Sequence, residues 1–155
     1  MVDIQKLKEF IFEASKNTYA SENPEIKVKQ DDYSTTIEYE KDDWKYHDNY
    51  FGGEPFGGRE VVFYKDKPVW MMVYYGAVVV NEIVPDELYT VLTKALRSSS
   101  VDMPYRGPKE LVDGEFRYVN ELQGEVDNFS GEEKIYKGNT ILYVAKYIGG
   151  LLDKS

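Results

Sequence analysis

The sequence predicts an α+β protein in which two internally duplicated α-β-β-β units form a twisted antiparallel sheet, with two main helices packed against it. Two segments place apolar residues at helical spacing, and several shorter segments alternate apolar and polar residues as strands do. In addition, residues 56–79 return in weaker form as residues 129–152. A chain of 155 residues has the size of one domain, so we predict a single domain, 1–155, with repeat halves at about 3–80 and 85–152.

The first predicted helix covers residues 3–16, with Asp3 as its N-cap. Its apolar stripe consists of Ile4, Leu7, Phe10, Ile11 and Ala14. Residues 33–40 alternate as a half-buried strand does, and a short strand at 26–29 pairs with them through a turn. The remaining predicted elements are strands over 44–50, 59–64 and 69–80, a helix over 85–98, and strands over 115–121, 132–137 and 140–148. Strands joined by short turns in this way predict an antiparallel sheet.

The repeat rests on an ungapped alignment at an offset of 73 residues. Its identities are Phe56/Phe129, Gly58/Gly131, Glu60/Glu133, Tyr74/Tyr147 and Gly76/Gly149. The preceding strands, at 44–52 and 116–124, align at an offset of 72. Each half also has an amphipathic helix upstream, which favours a tandem duplication.

Composition narrows the function classes. The chain has 19 Lys and Arg against 28 Asp and Glu, a net charge of −9, without a basic cluster, so we predict no nucleic-acid binding by this domain alone. It has no cysteine, which excludes disulfides, thiolate nucleophiles and cysteine-bound metals. The N-terminus lacks a signal-peptide pattern, and the longest apolar run is too short to span a bilayer. We therefore predict a cytoplasmic protein that does not bind membranes.

Strand alternation points four polar side chains toward the apolar side of the sheet: Asp48, Glu60, Asn120 and Glu133. Tyr46 shares the face of Asp48, and Tyr118 that of Asn120. A buried carboxylate needs a donor, a cation, a ligand or water. Either each glutamate accepts backbone N–H groups from its glycine-rich F-x-G-x-E turn as a structural brace, or the four line a cleft between the halves and hold a ligand.

Arg106, in the rigid segment Pro104–Pro108, is the natural counter-ion for such a carboxylate, from the protein or from a ligand. The candidate ligand-binding residues are Tyr46, Asp48, Glu60, Arg106, Tyr118, Asn120 and Glu133. The fourteen tyrosines suit a pocket for a planar ligand as well as they suit sheet packing.

Other chemistry has little support in the sequence. The single histidine, His47, alternates onto the outward face, which excludes a Ser-His-Asp arrangement. The glycine-rich segments match neither a Walker loop nor G-x-G-x-x-G, so we predict no cofactor. Asp48, Glu60 and Glu133 offer oxygen ligands, but no D-x-D-x-D loop supports them, and we predict no metal site.

Several segments together resemble a known family. They are "TYA" at 18–20, the run 46–76, "YRGP" at 105–108 and the run 129–150. They resemble a prokaryotic family labelled only as a domain of unknown function, which occurs alone or C-terminal to a helix-turn-helix region of transcriptional regulators. Residues 1–16 supply a single helix, so the resemblance implies the domain without its DNA-binding half. It implies no catalytic residues.

The function that these observations favour is a non-enzymatic small-molecule-binding or sensory domain, with a polar and aromatic cleft between its two repeats. One alternative is a small hydrolase or isomerase that uses Glu60 and Glu133 as a carboxylate pair, one as acid and the other as base. A further alternative is a self-associating interaction module, which would form a homodimer through the 69–80 strand or its neighbour.

Overall fold

The computed structural model describes residues 1–18, 26–82 and 85–153, and most of them lie in strands. Strands contain 52% of the described residues and helices 19%. This corrects the predicted α+β class: the protein has a mostly-β fold, because its strands are longer and more numerous than the alternation patterns indicate. The elements are α1 Ile4–Asn17, β1 Val28–Lys29, β2 Thr35–Lys41, β3 Trp44–Gly52, β4 Phe56–Tyr64, β5 Lys67–Val78, α2 Pro85–Arg97, β6 Glu110–Asp113, β7 Phe116–Glu125, β8 Asn128–Lys137 and β9 Thr140–Leu151.

All of these strands belong to one sheet, in the order β1-β2-β3-β4-β5-β9-β8-β7-β6. Each neighbouring pair is antiparallel. The chain runs as a meander from β1 to β5, passes through α2 to the far edge of the sheet, and returns as a second meander from β6 to β9. The pairing of β5 with β9 therefore joins the two halves of the chain at the centre of the sheet.

The predicted elements agree with the structure in type more than in number. Helices α1 and α2 correspond to the two predicted helices, and the Lys6 backbone N–H donates to Asp3 Oδ1 at 3.1 Å, which confirms the N-cap. The predicted α-β-β-β unit is wrong, because β6 gives the second half a fourth strand and the first half has five. Strand β5 begins earlier than predicted because Lys65 and Asp66 both adopt positive φ, which closes the hairpin in two residues.

Strand pairing in the two halves follows the same register. The directly opposite pairs that agree are Asp48–Glu60 with Asn120–Glu133, and Phe56–Gly76 with Phe129–Gly149. Tyr74 and Tyr147 lie opposite each other where β5 meets β9. Residues related by the offset of 72 or 73 are called matching positions below.

Both helices cover one face of the sheet, here called the inner face. Four of the five residues in the predicted α1 stripe pack into a cluster that includes Trp70, whereas the fifth, Ile4, is exposed. The apolar residues of α2 pack into a second cluster that includes Tyr143. Trp70 and Tyr143 are matching positions. On the opposite face Val73 and Ile148 are exposed. The buried interior, and any site that depends on it, therefore lies between the inner face and the two helices.

Candidate functional site

A row of four polar side chains crosses the inner face. Asp48 on β3 lies opposite Glu60 on β4, and Asn120 on β7 lies opposite Glu133 on β8. All four are buried, which confirms their predicted inward orientation. Because a buried carboxylate without partners costs several kcal/mol, the partners of these groups decide what the row does.

Two tyrosine hydroxyls serve the pair in the first half. Tyr46 donates to Glu60 Oε1 and Tyr74 donates to Asp48 Oδ1, each at 2.6 Å. Tyr74 lies on β5 and must cross β4 to reach Asp48 on β3. It can do so because Gly58 lies opposite it: a Cβ at Gly58 would be 2.7 Å from the Tyr74 hydroxyl. The glycine of the F-x-G-x-E motif therefore makes room for a tyrosine.

Matching tyrosines serve the pair in the second half. Tyr118 donates to Glu133 Oε2, and Tyr147 donates to Asn120 Oδ1 at 2.6 Å. Gly131 again lies opposite the crossing tyrosine, and a Cβ there would be 2.1 Å from the Tyr147 ring. The predicted brace of backbone N–H groups is wrong for both glutamates within the described residues, because tyrosine and arginine side chains take that place.

A single loop covers the Asn120–Glu133 pair and supplies further hydrogen bonds to its polar groups. Arg106 Nε donates to Glu133 Oε1 at 2.5 Å, with both side chains almost wholly buried. The next residue, Gly107, donates its N–H to the Tyr118 hydroxyl at 3.2 Å and accepts from Asn120 Nδ2 at 3.0 Å. Only glycine fits this close approach, since a Cβ at Gly107 would lie 2.7 Å from that hydroxyl. Arg106 is therefore a protein counter-ion, one of the two roles that its sequence context allows.

The pair in the first half borders a cleft of about 210 Å³ between the inner face and α2. Among the described residues, Asp48 and Glu60 each accept one tyrosine hydroxyl and no second hydrogen bond. The lining residues are Lys27, Ile37, Asp48, Tyr50, Gly52, Gly53, Phe56, Glu60, Tyr74, Tyr89, Leu92, Thr93, Leu96 and Arg106. We call this cavity the Asp48–Glu60 cleft.

Burial changes the acidity of both cleft carboxyls. It raises the pKa of Glu60 to about 8, with a further increase from the Asp48 charge, against the opposing effects of Tyr46 and Arg106. Burial likewise raises the pKa of Asp48 to about 6, against the Tyr74 hydrogen bond and the Arg106 charge. Near neutral pH the pair therefore retains a proton that exposed carboxyls would have lost.

Aromatic rings form one wall of the cleft and the layer behind it. Phe56 and Tyr89 line the cavity, with ring centroids 6.3 Å apart, and each has its centroid 6.4 Å from that of Tyr143. The Tyr143 hydroxyl is buried and makes no hydrogen bond with any residue that the structure describes. Tyr89 also donates to Glu54 Oε2, which ties α2 to the glycine-rich segment between β3 and β4.

Of the seven predicted ligand-binding residues, the structure places three on the cleft: Asp48, Glu60 and Arg106. Tyr46 contacts Glu60 but does not line the cleft. The remaining three, Tyr118, Asn120 and Glu133, form the hydrogen-bonded network that the Arg106–Gly107 loop covers. The cleft is also lined by Phe56, Tyr74, Tyr89 and the inner side of α2, which were not among the predicted site residues. The Tyr74/Tyr147 identity in the repeat was a usable signal for one of them.

A larger groove of about 840 Å³ lies elsewhere, where the two ends of the described chain approach the β4–β5 and β7–β8 turns. Its lining is mainly apolar, with charged side chains such as Lys65 and Glu125 exposed. None of the four polar residues of the row borders it. The smaller Asp48–Glu60 cleft is therefore the better candidate, because it alone of the two joins buried titratable groups to an opening.

Neither a metal site nor a membrane-spanning helix is found in the described ranges. No three His, Cys, Asp or Glu side chains there are grouped so that they could hold a metal ion. The helices found there are also too short or too polar to cross a bilayer.

Residues 48–152 match a family whose description is Domain of unknown function (DUF5680). The chain belongs to this family. The matched segment begins at Asp48 and includes every residue of the polar row, the Arg106 loop and all of α2. Tyr46 precedes it, as do α1, β1 and β2. No curated protein and no solved structure shows significant similarity to the chain.

Proposed function

We propose that this DUF5680 protein is a non-enzymatic small-molecule-binding domain whose ligand occupies the Asp48–Glu60 cleft. The observation that carries the proposal is the incomplete pairing of two deeply buried carboxyls on an open cavity. The covered pair in the second half illustrates what a purely structural solution looks like on the same sheet. A ligand supplies to the cleft pair what Arg106 and Gly107 supply to Glu133 and Asn120.

The geometry favours binding over the alternative acid–base enzyme. A Glu60/Glu133 carboxylate pair would need both groups to reach one substrate, but Glu133 does not line the cleft and is held by Arg106 and Tyr118. General acid–base chemistry requires each group within hydrogen-bonding reach of the reacting atoms. The self-association alternative also loses its simplest form, because β5 is paired on both sides and offers no free edge.

A sensory role is the finer form of the proposal. Its support is the resemblance to a family found C-terminal to helix-turn-helix regions, together with the position of α2. This helix borders the cleft through Leu92, Thr93 and Leu96, so an occupied cleft would fix its contact with the sheet.

The test is a thermal-shift panel of small molecules that includes cations, anions and neutral compounds. A ligand at 100 times its Kd stabilises a protein by about 2.7 kcal/mol. We expect at least one compound to raise the Tm of the wild type, and to lose this effect in Thr93→Phe, which places a ring in the cleft from α2.

Thr90→Phe is the matched control, because Thr90 is exposed on the same helix, does not line the cleft, and makes the same type of hydrogen bond to the carbonyl four residues before it. The proposal fails if no compound of any charge raises the Tm, or if Thr93→Phe responds as fully as Thr90→Phe.

A further inference from the structure

The charges around the cleft indicate what kind of ligand it would take. Arg106 is hydrogen-bonded to Glu133, and no described cation is within salt-bridge distance of Asp48 or Glu60. Lys27 also lines the cleft but is exposed at its rim. The floor therefore has more acidic oxygens than cations close enough to neutralise them, and a ligand with N–H donors and a positive charge would correct both deficits.

The walls and the volume indicate the rest of the ligand. Phe56 and Tyr89 present aromatic surface, and Ile37, Leu92 and Leu96 present aliphatic surface. An apolar cavity of about 150 Å³ holds benzene, so the cleft, at about 210 Å³, has room for one ring and a short arm. Aromatic rings also attract cations through their faces.

Resting on the proposed function, we infer that the Asp48–Glu60 cleft binds a small aromatic monocation. Its ammonium or amidinium group donates to Asp48 and Glu60, and its ring lies against Phe56 and Tyr89. The carboxyl oxygens that accept no tyrosine hydroxyl are the acceptors, and the existing Tyr46 and Tyr74 hydrogen bonds are kept.

Binding of such a cation is coupled to proton release. The cation favours the ionised form of both carboxyls, and burial gives them raised pKa values in the free protein. Near pH 7 the bound protein therefore carries fewer protons on this pair than the free protein does. The heat of binding then depends on the ionisation enthalpy of the buffer.

The experiment is calorimetric titration at pH 7 with benzylamine, which is protonated there, and with its neutral and anionic counterparts, benzyl alcohol and phenylacetate. We expect benzylamine to bind with release of a fraction of a proton, which is calculated from the difference between its binding heats in phosphate and in Tris buffer. We expect benzyl alcohol and phenylacetate to bind far more weakly. Asp48→Asn should weaken benzylamine by about tenfold or more, since it removes a buried charge partner.

Asp43→Asn is the control for the loss of one negative charge, because Asp43 is exposed in the β2–β3 turn and lies outside the cleft. It should bind benzylamine as the wild type does. If Asp48→Asn does not fold by circular dichroism, Glu60→Gln replaces it, with the same weakening expected and proton release lost.

The inference is overturned if benzyl alcohol or phenylacetate binds as well as benzylamine, or if Asp48→Asn and Asp43→Asn behave alike. In those cases the proposed function stands as long as Thr93→Phe, unlike Thr90→Phe, still abolishes binding. If no compound in the wider thermal-shift panel binds at all, the proposed function fails and the inference fails with it.

Discussion

The β3–β4 and β7–β8 strand pairs are built alike and completed differently. Each places two polar side chains opposite one another on the inner face, and each uses two tyrosines as donors. On β7–β8, Asn120 replaces the aspartate of β3, and the Arg106–Gly107 loop closes over the pair. On β3–β4 both groups are acids, and a cleft lies in front of them.

The difference shows that backbone geometry alone does not fix the chemistry of a buried polar pair. Glu60 and Glu133 are at matching positions, both are buried, and each accepts a hydrogen bond from its own tyrosine. Of the two, only Glu133 has a hydrogen-bonded cation within the described chain. Burial raises the pKa of Glu60 to about 8, because no hydrogen-bonded cation among the described residues there offsets the cost of burying its charge. The pair without a hydrogen-bonded cation is therefore the one on which the proposed binding site rests.

Removal of Arg106 has the largest expected effect, because it takes the cation away from the covered Asn120–Glu133 pair. Arg106→Leu leaves the Glu133 charge buried with only a tyrosine donor, and we expect a loss of about 3–5 kcal/mol in the free energy of unfolding. Chemical denaturation at pH 7 measures this loss.

Arg117→Leu is the control, because Arg117 is an exposed arginine of β7 that stacks on Tyr136, and its loss should cost less than about 1 kcal/mol. Adding Glu133→Gln to Arg106→Leu should restore part of the stability, since it removes the stranded charge. Equal effects of the two arginine substitutions would show that the Arg106–Glu133 pair does not hold the covered half together.

A second effect concerns pH and the open pair. In the folded protein the pKa of Glu60 is about 8 and that of Asp48 about 6, against ordinary values of 4.5 and 3.8. Folding therefore retains protons that the unfolded chain releases, so stability is greatest below about pH 4 with respect to these groups and falls as pH rises toward 8. Glu60→Gln should flatten this fall and raise the stability at pH 8 by up to about 4 kcal/mol.

Denaturation curves at pH 4.5 and pH 8 test this expectation. The glutamine can keep the Tyr46 hydrogen bond, so the wild type and Glu60→Gln should nearly coincide at the lower pH. Glu133→Gln is the matched substitution, and at pH 8 it should destabilise the protein because it removes the charge that Arg106 pairs with. A loss of stability in both variants at pH 8 would contradict the distinction between the two pairs.

The inward row was predictable from the sequence because the strand period is two. Alternation assigns a face to each residue, and a one-residue slip would expose every apolar side chain of the strand. Asp48, Glu60, Asn120 and Glu133 followed from that rule. The tyrosine donors were less accessible, since which hydroxyl meets which acid depends on cross-strand register and on the glycines that let Tyr74 and Tyr147 cross a strand.

Two features were predicted incompletely. The sequence indicated Arg106 as a counter-ion for a buried carboxylate, but Arg106 belongs to a loop, and only the tertiary path shows that its partner is Glu133 and that the loop covers β7–β8. The fold class was missed because strand β6, Glu110–Asp113, is a short, partly exposed edge strand without a strong alternation of apolar residues, and because the β4–β5 turn is tighter than its composition indicates. Edge strands are held mainly by backbone pairing, which side-chain patterns record poorly.

The smallest expected effect separates two tyrosines of β9 that face the same interior. Tyr147 donates to Asn120, whereas the Tyr143 hydroxyl is buried and has no hydrogen-bond partner among the described residues. Removing a hydroxyl that has no partner abolishes a desolvation cost, so Tyr143→Phe should stabilise the protein by about 1 kcal/mol. Tyr147→Phe leaves the side-chain oxygen Oδ1 of Asn120 without this donor and should destabilise the protein by a similar amount. Thermal denaturation of both variants tests this difference. If Tyr143→Phe is destabilised, the Tyr143 hydroxyl has a hydrogen-bond partner and does not differ from Tyr147 in this respect.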